Sequence, residues 1–483
     1  MYTWIKLNTS ADLNQLEQHI SVEYSPKEVS KRLVGGISDA VKSVLIEENY
    51  VDKDYRSTYY NFYSKKGKKY RADCVRLHFF DQTVSFDKKG LKLSWEGDRL
   101  DDHYFGYMIL RPTGIATIGR SILSPDVRSG AKGSIITANH KVHLLGYKLS
   151  IQGFPSMDQH IDISVCAHAA CWSILRHYSE KFNIYREFHT HDITLMAQQF
   201  NPGGLVPSKG LEVSHAERVF LEAGTFPLHV AKNGDHDPSF YRQLNAYVES
   251  GFPLFAAMHQ RSHAIAVMGN EWRPPINTGI LGMRYAWDEV TSLVVVDDNE
   301  LPYRSIPVSG GASYSAEDID AFIVPLPEKV YYPADAIDLM VPKLFILNRL
   351  IELPPQNETI VRYFITTGSG YRNFVRGRES EFDPKLVEEI MQLPLAQFVW
   401  IVELATEDQW SKGYIWARAV IDATASLRED MPFWLFHNRK RAFTLKRRVV
   451  GDGTSDLEVL ELSGMENTAL TRMDQNLRPI QVK

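Results

Sequence analysis

Apolar positions along this chain come in short blocks set between polar, glycine- and proline-bearing turns, with a few longer stretches at helical spacing. Ser25-Pro26-Lys27-Glu28 supplies a serine cap, a proline at the first helical position and an acid in the first turn, which predicts a helix over 25–48. Arg76-Leu77-His78-Phe79-Phe80, Tyr107-Met108-Ile109-Leu110 and Val142-His143-Leu144-Leu145-Gly146 are apolar runs bounded by turn residues, and they predict strands. Lys65-Lys66-Gly67-Lys68-Lys69 reads as a solvated hairpin turn. Arg111 and Arg120 stand beside turns and read as ion-pair partners of nearby acids rather than as ligand anchors.

The middle of the chain repeats this alternation with more apolar content. An apolar helix opens at Cys166, a helix starts at Gly210-Leu211, and another covers 238–248. Buried strands are predicted at 263–269 and 293–296. Pro325-Leu326-Pro327 and Tyr331-Tyr332-Pro333 mark a linker. Beyond it come a helix over 334–350, a strand over 359–366, a helix over 383–393 and a pair of apolar strands at 398–404 and 415–422. The fold class is therefore α+β. Its regions are 1–150, an N-terminal α+β region abutting the centre; 151–325, the core; and 326–483, a C-terminal α+β domain.

The chemistry concentrates in the core. Cys166 stands at the first turn of its helix, where free amides and the helix dipole favour a thiolate. A thiol nucleophile needs a base, and the base needs an orienting carboxylate. His263 heads one apolar strand and Asp297-Asp298 follow another, so two neighbouring strands can deliver both groups to one sheet edge. Cys171 is the rival thiol; it lies about 140° round the helix from Cys166, within an apolar turn, and reads as buried. His259 is the rival base. His168 and His177 sit on the nucleophile's own helix and read as packing residues.

In these residues the chain resembles the papain-like cysteine peptidases, and among them the bacteriocin-leader (double-glycine) peptidases and related peptidase-like domains. Their pattern is a Gln ahead of a Cys that opens a helix, a His followed by an apolar strand and Gly, and a strand ending in Asp; Gln159, Cys166, His263 and Asp297 stand at those places. Ala167 stands where the family has Gly, and Asp298 where it has Pro, so Asp297 and Asp298 both remain open as the third triad member. The resemblance spans roughly a third of the chain. It implies a papain-like core with the nucleophile's helix packed on an antiparallel sheet, flanked by the two accessory regions. It also implies a Cys-His-Asp triad, with Gln159 and the Cys166 N–H holding the oxyanion. The expected activity is hydrolysis of a peptide or isopeptide bond through an acyl-enzyme, as in a bacterial intracellular effector. Transfer of the acyl group to an amine, or a non-catalytic scaffold, are the alternatives.

Composition narrows the setting. The 483 residues are 44% hydrophobic and 23% charged, with a net charge of −5, which suits a globular protein of several domains and gives no reason to expect a nucleic acid or membrane partner. The expected partners are a protein or peptide substrate and an accessory protein held by the flanking regions. Arg439-Lys440-Arg441, continuing to Arg448, reads as a basic strand face. Three cysteines without paired spacing and no apolar leader point to a reducing, cytoplasmic setting. No ligand spacing for a metal occurs, His189 and His191 read as a polar loop, and no cofactor is expected.

Overall fold

The computed structural model describes residues 2–7, 10–21, 32–33, 35–113, 118–160, 166–197, 211–273, 282–311, 313–327, 330–429, 431–447, 455–462, 470–474 and 476–481. They form a mixed α+β protein on three large sheets, antiparallel except where Arg284–Tyr285 runs parallel to Thr359–Thr367. The N-terminal sheet orders its strands Tyr2–Lys6, Ser43–Tyr50, Cys74–Phe80, Tyr104–Leu110, Ile118–Leu123, Tyr147–Ser156 and Ala138–Leu144. The central sheet runs Phe226–Ala231, Ala321–Leu326, Leu254–Met258, His263–Trp272, Val290–Val296 and Arg304–Pro307. The C-terminal sheet is built on Thr359–Thr367, Phe398–Thr406, Ala417–Asp422, Phe433–His437, Arg441–Arg447 and Ser455–Glu461.

Helices fill the spaces between these sheets. Cys166–Lys181 lies between the N-terminal and central sheets, and every residue from Ala167 to Tyr178 is buried. The strand beneath it shows why a continuous apolar run was needed. In His263–Trp272, Ala264, Ala266 and Met268 face the Cys166 helix, while Ile265 and Val267 face the opposite layer with the helix Pro238–Glu249. Small side chains lie on the helix-facing side, Ala264 and Ala266 against Ala167 and Ala170, which lets helix and sheet approach closely. Gly269, which closes the run, faces the carbonyl of Ser134 so closely that a Cβ has no room.

Several expectations need correction. Residues 43–48, placed in a helix, form the strand Ser43–Tyr50; Val44, Leu45 and Ile46 are wholly buried between two strand neighbours, and tertiary pairing overrides the local helix signal. Ser25-Pro26 lies outside the described residues. The Lys65–Lys69 stretch is solvated but is no hairpin turn: it follows the 3₁₀ turn Tyr63–Lys65, and Lys66 lies over the Phe62 ring. The strand expected to reach Gly146 ends at Leu144, because Leu145 and Gly146 both take positive φ and turn the chain into Tyr147–Ser156. Pro325 and Leu326 are not linker but the end of a central strand; the Pro325 carbonyl accepts from Tyr178 Oη at 2.6 Å. The helix expected to start at Gly210-Leu211 starts at Val213, with Gly210 outside the described residues, and the helix before the His263 strand is Pro238–Glu249.

Most C-terminal elements appear near their expected places, as Thr359–Thr367, Pro384–Gln392 and the paired strands Phe398–Thr406 and Ala417–Asp422, but the helix expected over 334–350 ends at Leu344 and passes into the 3₁₀ turn Phe345–Arg349, and Ile415, expected in the second strand of the pair, bonds to Leu470 instead. The last residues cross back: Leu470–Thr471 pairs with Tyr414–Ile415, and Arg478–Pro479 pairs with Ser134–Ile135 at the central sheet. Among the described residues no helix is long and apolar enough to cross a membrane.

Candidate active site

The central sheet brings the distant polar residues to one edge. Strands His263–Trp272 and Val290–Val296 are antiparallel neighbours with Ala266 opposite Val296, so the start of one lies beside the end of the other. Ser262, in the left-handed region at φ 48°, closes the 3₁₀ turn His259–Arg261 and directs the chain into the His263 strand. That turn separates the rival bases. His259 is exposed and faces Asp320 at 3.5 Å, whereas His263 faces inward.

His263 Nε2 lies 3.2 Å from Asp297 Oδ1, an ion pair rather than an aligned hydrogen bond. Its other close partner is the half-buried thiol of Cys166. Burial disfavours the imidazolium, but Asp297 and Cys166 together outweigh it and raise His263 to about 10. Asp297 is buried and heavily used. Its Oδ1 accepts from the Asn299 backbone N–H at 2.9 Å, and its Oδ2 from the Tyr314 hydroxyl at 2.5 Å and Arg304 Nη1 at 3.4 Å. Burial opposes its charge, yet His263, Tyr314 and Asn299 hold it well below the usual carboxylate range. The choice left open by the sequence is thereby resolved geometrically: Asp297 is the carboxylate against the imidazole. Tyr314, whose ring meets His263 edge-on, and Arg304, stacked over that ring at 4.6 Å, were not singled out by the sequence. Arg304 opens the short strand Arg304–Pro307 and Tyr314 lies in the loop beyond it, where no periodic signal marks either.

Gln159 follows the strand Tyr147–Ser156 in a loop held by buried Arg111, whose Nη2 donates to the carbonyls of Asp158 at 3.2 Å and Gln159 at 3.3 Å. Arg111 thus grips a backbone and also faces the charge of Asp158, while Arg120 pairs with Asp52 at 2.7 Å. Asp158 is paired with Arg32 from the N-terminal region; burial pushes its carboxyl up to about 6 despite Arg32 and Arg111. Gln159 is half-buried, and residues 161–165, between it and Cys166, lie outside the described residues. Cys171 is fully buried and its thiol is pushed up by desolvation, so it is a core side chain. His168 and His177 are likewise wholly buried.

The Cys166 helix is anchored from the N-terminal side. Trp172 Nε1 donates to Asp54 Oδ1 at 3.0 Å, and His189 Nδ1 approaches the same oxygen at 3.1 Å. Asp54, Glu187 and His189 lie close enough to hold a cation, but Glu187 already meets Arg176, Lys53 and Arg120, and Arg120 lies 3.9 Å from Asp54. Ion pairing accounts for that cluster. His189 precedes the helix Thr190–Met196, and His191 lies within it. His263, Asp297 and Asp298 also lie within 4.8 Å of one another, with the oxygens of Asp297 engaged as described.

Comparison with known proteins places this arrangement beside no precedent: no protein family, no curated protein and no solved structure matches the chain.

Proposed function

We propose that the protein is a papain-like thiol hydrolase that cleaves a peptide or isopeptide bond through a Cys166 acyl-enzyme. One observation carries this reading: the imidazole of His263 meets both the thiol of Cys166 and the carboxylate of Asp297, with the thiol at the start of a helix. The helix packed across an antiparallel sheet supports a papain-like core. His263 takes the thiol proton, the sulfur attacks the carbonyl carbon, and the imidazolium returns its proton to the departing amine. Asp297 holds the imidazolium and its orientation throughout. The Cys166 N–H and the Gln159 amide are the oxyanion donors in this reading, and the grip of Arg111 on the Asp158–Gln159 carbonyls supports a fixed approach for that loop. Water then releases the acyl group.

The test is covalent labelling of the folded protein with a fluorescent vinyl sulfone. The wild type takes up the label and Cys166→Ala does not, since Cys74 and Cys171 are buried. Equal labelling of that variant refutes the assignment.

A further inference from the structure

Asp298 is a buried acid beside Asp297 with no part in the mechanism. It is 5% exposed, follows Asp297 directly, and shares with it the side-chain amide of Asn299, which lies 3.2 Å from an oxygen of each. Its Oδ2 has no hydrogen-bond partner among the described residues. A buried carboxylate oxygen left without a donor is costly, and a second anion beside Asp297 is costlier still. Both costs vanish if Oδ2 carries a proton, because the orphan acceptor becomes a donor with a charged acceptor beside it.

We propose that Asp298 is a proton-holding positioning residue of the Cys166 site, a neutral carboxylic acid whose hydroxyl faces Asp297, so that one negative charge rather than two stands behind His263. This rests on the Cys166–His263–Asp297 reading. The surroundings agree from each side. Asp297 lies on the same loop, His263 on the adjacent strand, and Asp158 on the loop after Tyr147–Ser156, where Arg32 and Arg111 reach it from the N-terminal region. Arg304 and Arg128 both contact Glu300, at 3.6 Å and 3.7 Å, rather than Asp298. Burial first, then the charges of Asp297 and Asp158, push Asp298 up to about 7, against the opposing pull of His263. Neutrality has a chemical use. A single anion lets the imidazolium release its proton to a leaving group; a second anion binds that proton more tightly and slows the step.

The proposal sets a pH response. Addition of Cys166 to a vinyl sulfone forms the S–C bond, moves the alkene pair to the α-carbon and takes the imidazolium proton there; alkylation by iodoacetamide expels iodide and takes no proton. The ratio of the two rates in the full chain therefore reads proton delivery. In the wild type it falls severalfold as pH rises through about 7, whereas in Asp298→Asn, which mimics the neutral acid, it stays flat. Infrared difference spectra between wild type and Asp298→Asn at about pH 6 show a protonated carboxylic carbonyl that disappears by about pH 8. Asp298→Asn losing labelling at about pH 6 to the same extent as Asp297→Asn overturns the proposal, as does a ratio that still falls in Asp298→Asn. If the variant does not fold, the wild-type spectrum decides alone: lack of any protonated carboxyl at about pH 6 refutes it. Failure of the triad reading looks different, with Cys166→Ala still labelled whatever the state of Asp298.

Discussion

Replacing Asp297 by Asn tests the site at its centre. The amide keeps the size of the side chain and can still meet Tyr314 and Asn299, but it removes the charge 3.2 Å from His263 Nε2. Burial alone would lower the histidine, and its rise from 6.5 to about 10 is due to Asp297 and Cys166 together. That rise corresponds to about 5 kcal/mol, and an Asp297 share of about half is worth about 2–3 kcal/mol, or about two pH units. The assay compares alkylation of Cys166 by iodoacetate with that by iodoacetamide across pH, because the anionic reagent gains from a neighbouring imidazolium and the neutral one does not. The wild-type ratio falls near pH 10 and that of Asp297→Asn at about pH 8. The stability effect has a definite sign. The histidine is raised in the folded state, so its share of stability is fully present below about 6.5 and is lost as pH rises through about 10; the part of the variant's deficit owed to His263 follows that window. A ratio that falls at the same pH in both proteins refutes the claim that Asp297 holds the imidazolium.

Two further predictions concern the frame. Trp172→Phe removes the donor at 3.0 Å from the buried Asp54 carboxylate and leaves a small void, and should cost about 2–3 kcal/mol in urea unfolding; a loss under about 1 kcal/mol would show that this contact does not anchor the helix. Glu403, whose side chain is wholly buried, lies between Arg362 at 3.2 Å and Arg418 at 2.8 Å; Glu403→Gln removes the charge facing buried Arg418, while Arg362 keeps Glu249 at 2.6 Å and Asp474 at 3.0 Å, and should cost about 3–5 kcal/mol by the same measurement, whereas Glu379→Gln, in an exposed pair with Arg376, should cost under about 1 kcal/mol.

The candidate site was legible to unequal depths. Cys166 and His263 were marked by local signals, a thiol opening a helix and a histidine heading an apolar strand that ends in glycine. Asp297 and Asp298 were equivalent in sequence because both follow the same strand, and only the donors converging from Tyr314, Arg304 and Asn299 separate them. Arg32 and Arg111 reached the site's loop from the N-terminal region, a long-range contact that spacing does not encode. The helix expected over 25–48 failed across 43–48 for a related reason: Ser43–Tyr50 is stabilised by strands on both sides, and a local cap signal upstream has no bearing on that pairing.

The sequence alone determined the α+β class, most of the elements after residue 166, and the residue types able to perform thiol chemistry, because helix caps, apolar periodicity and turn residues act over a few positions. The tertiary structure decided which groups meet. Antiparallel pairing of His263–Trp272 with Val290–Val296 brought histidine and aspartate to one edge, and the layer of small side chains beneath the Cys166 helix brought the thiol to them. It also set the electrostatics where the sequence offers two identical residues: both are buried, but His263, Tyr314 and Asn299 hold Asp297 down, whereas the neighbouring Asp297 carboxylate pushes Asp298 further up.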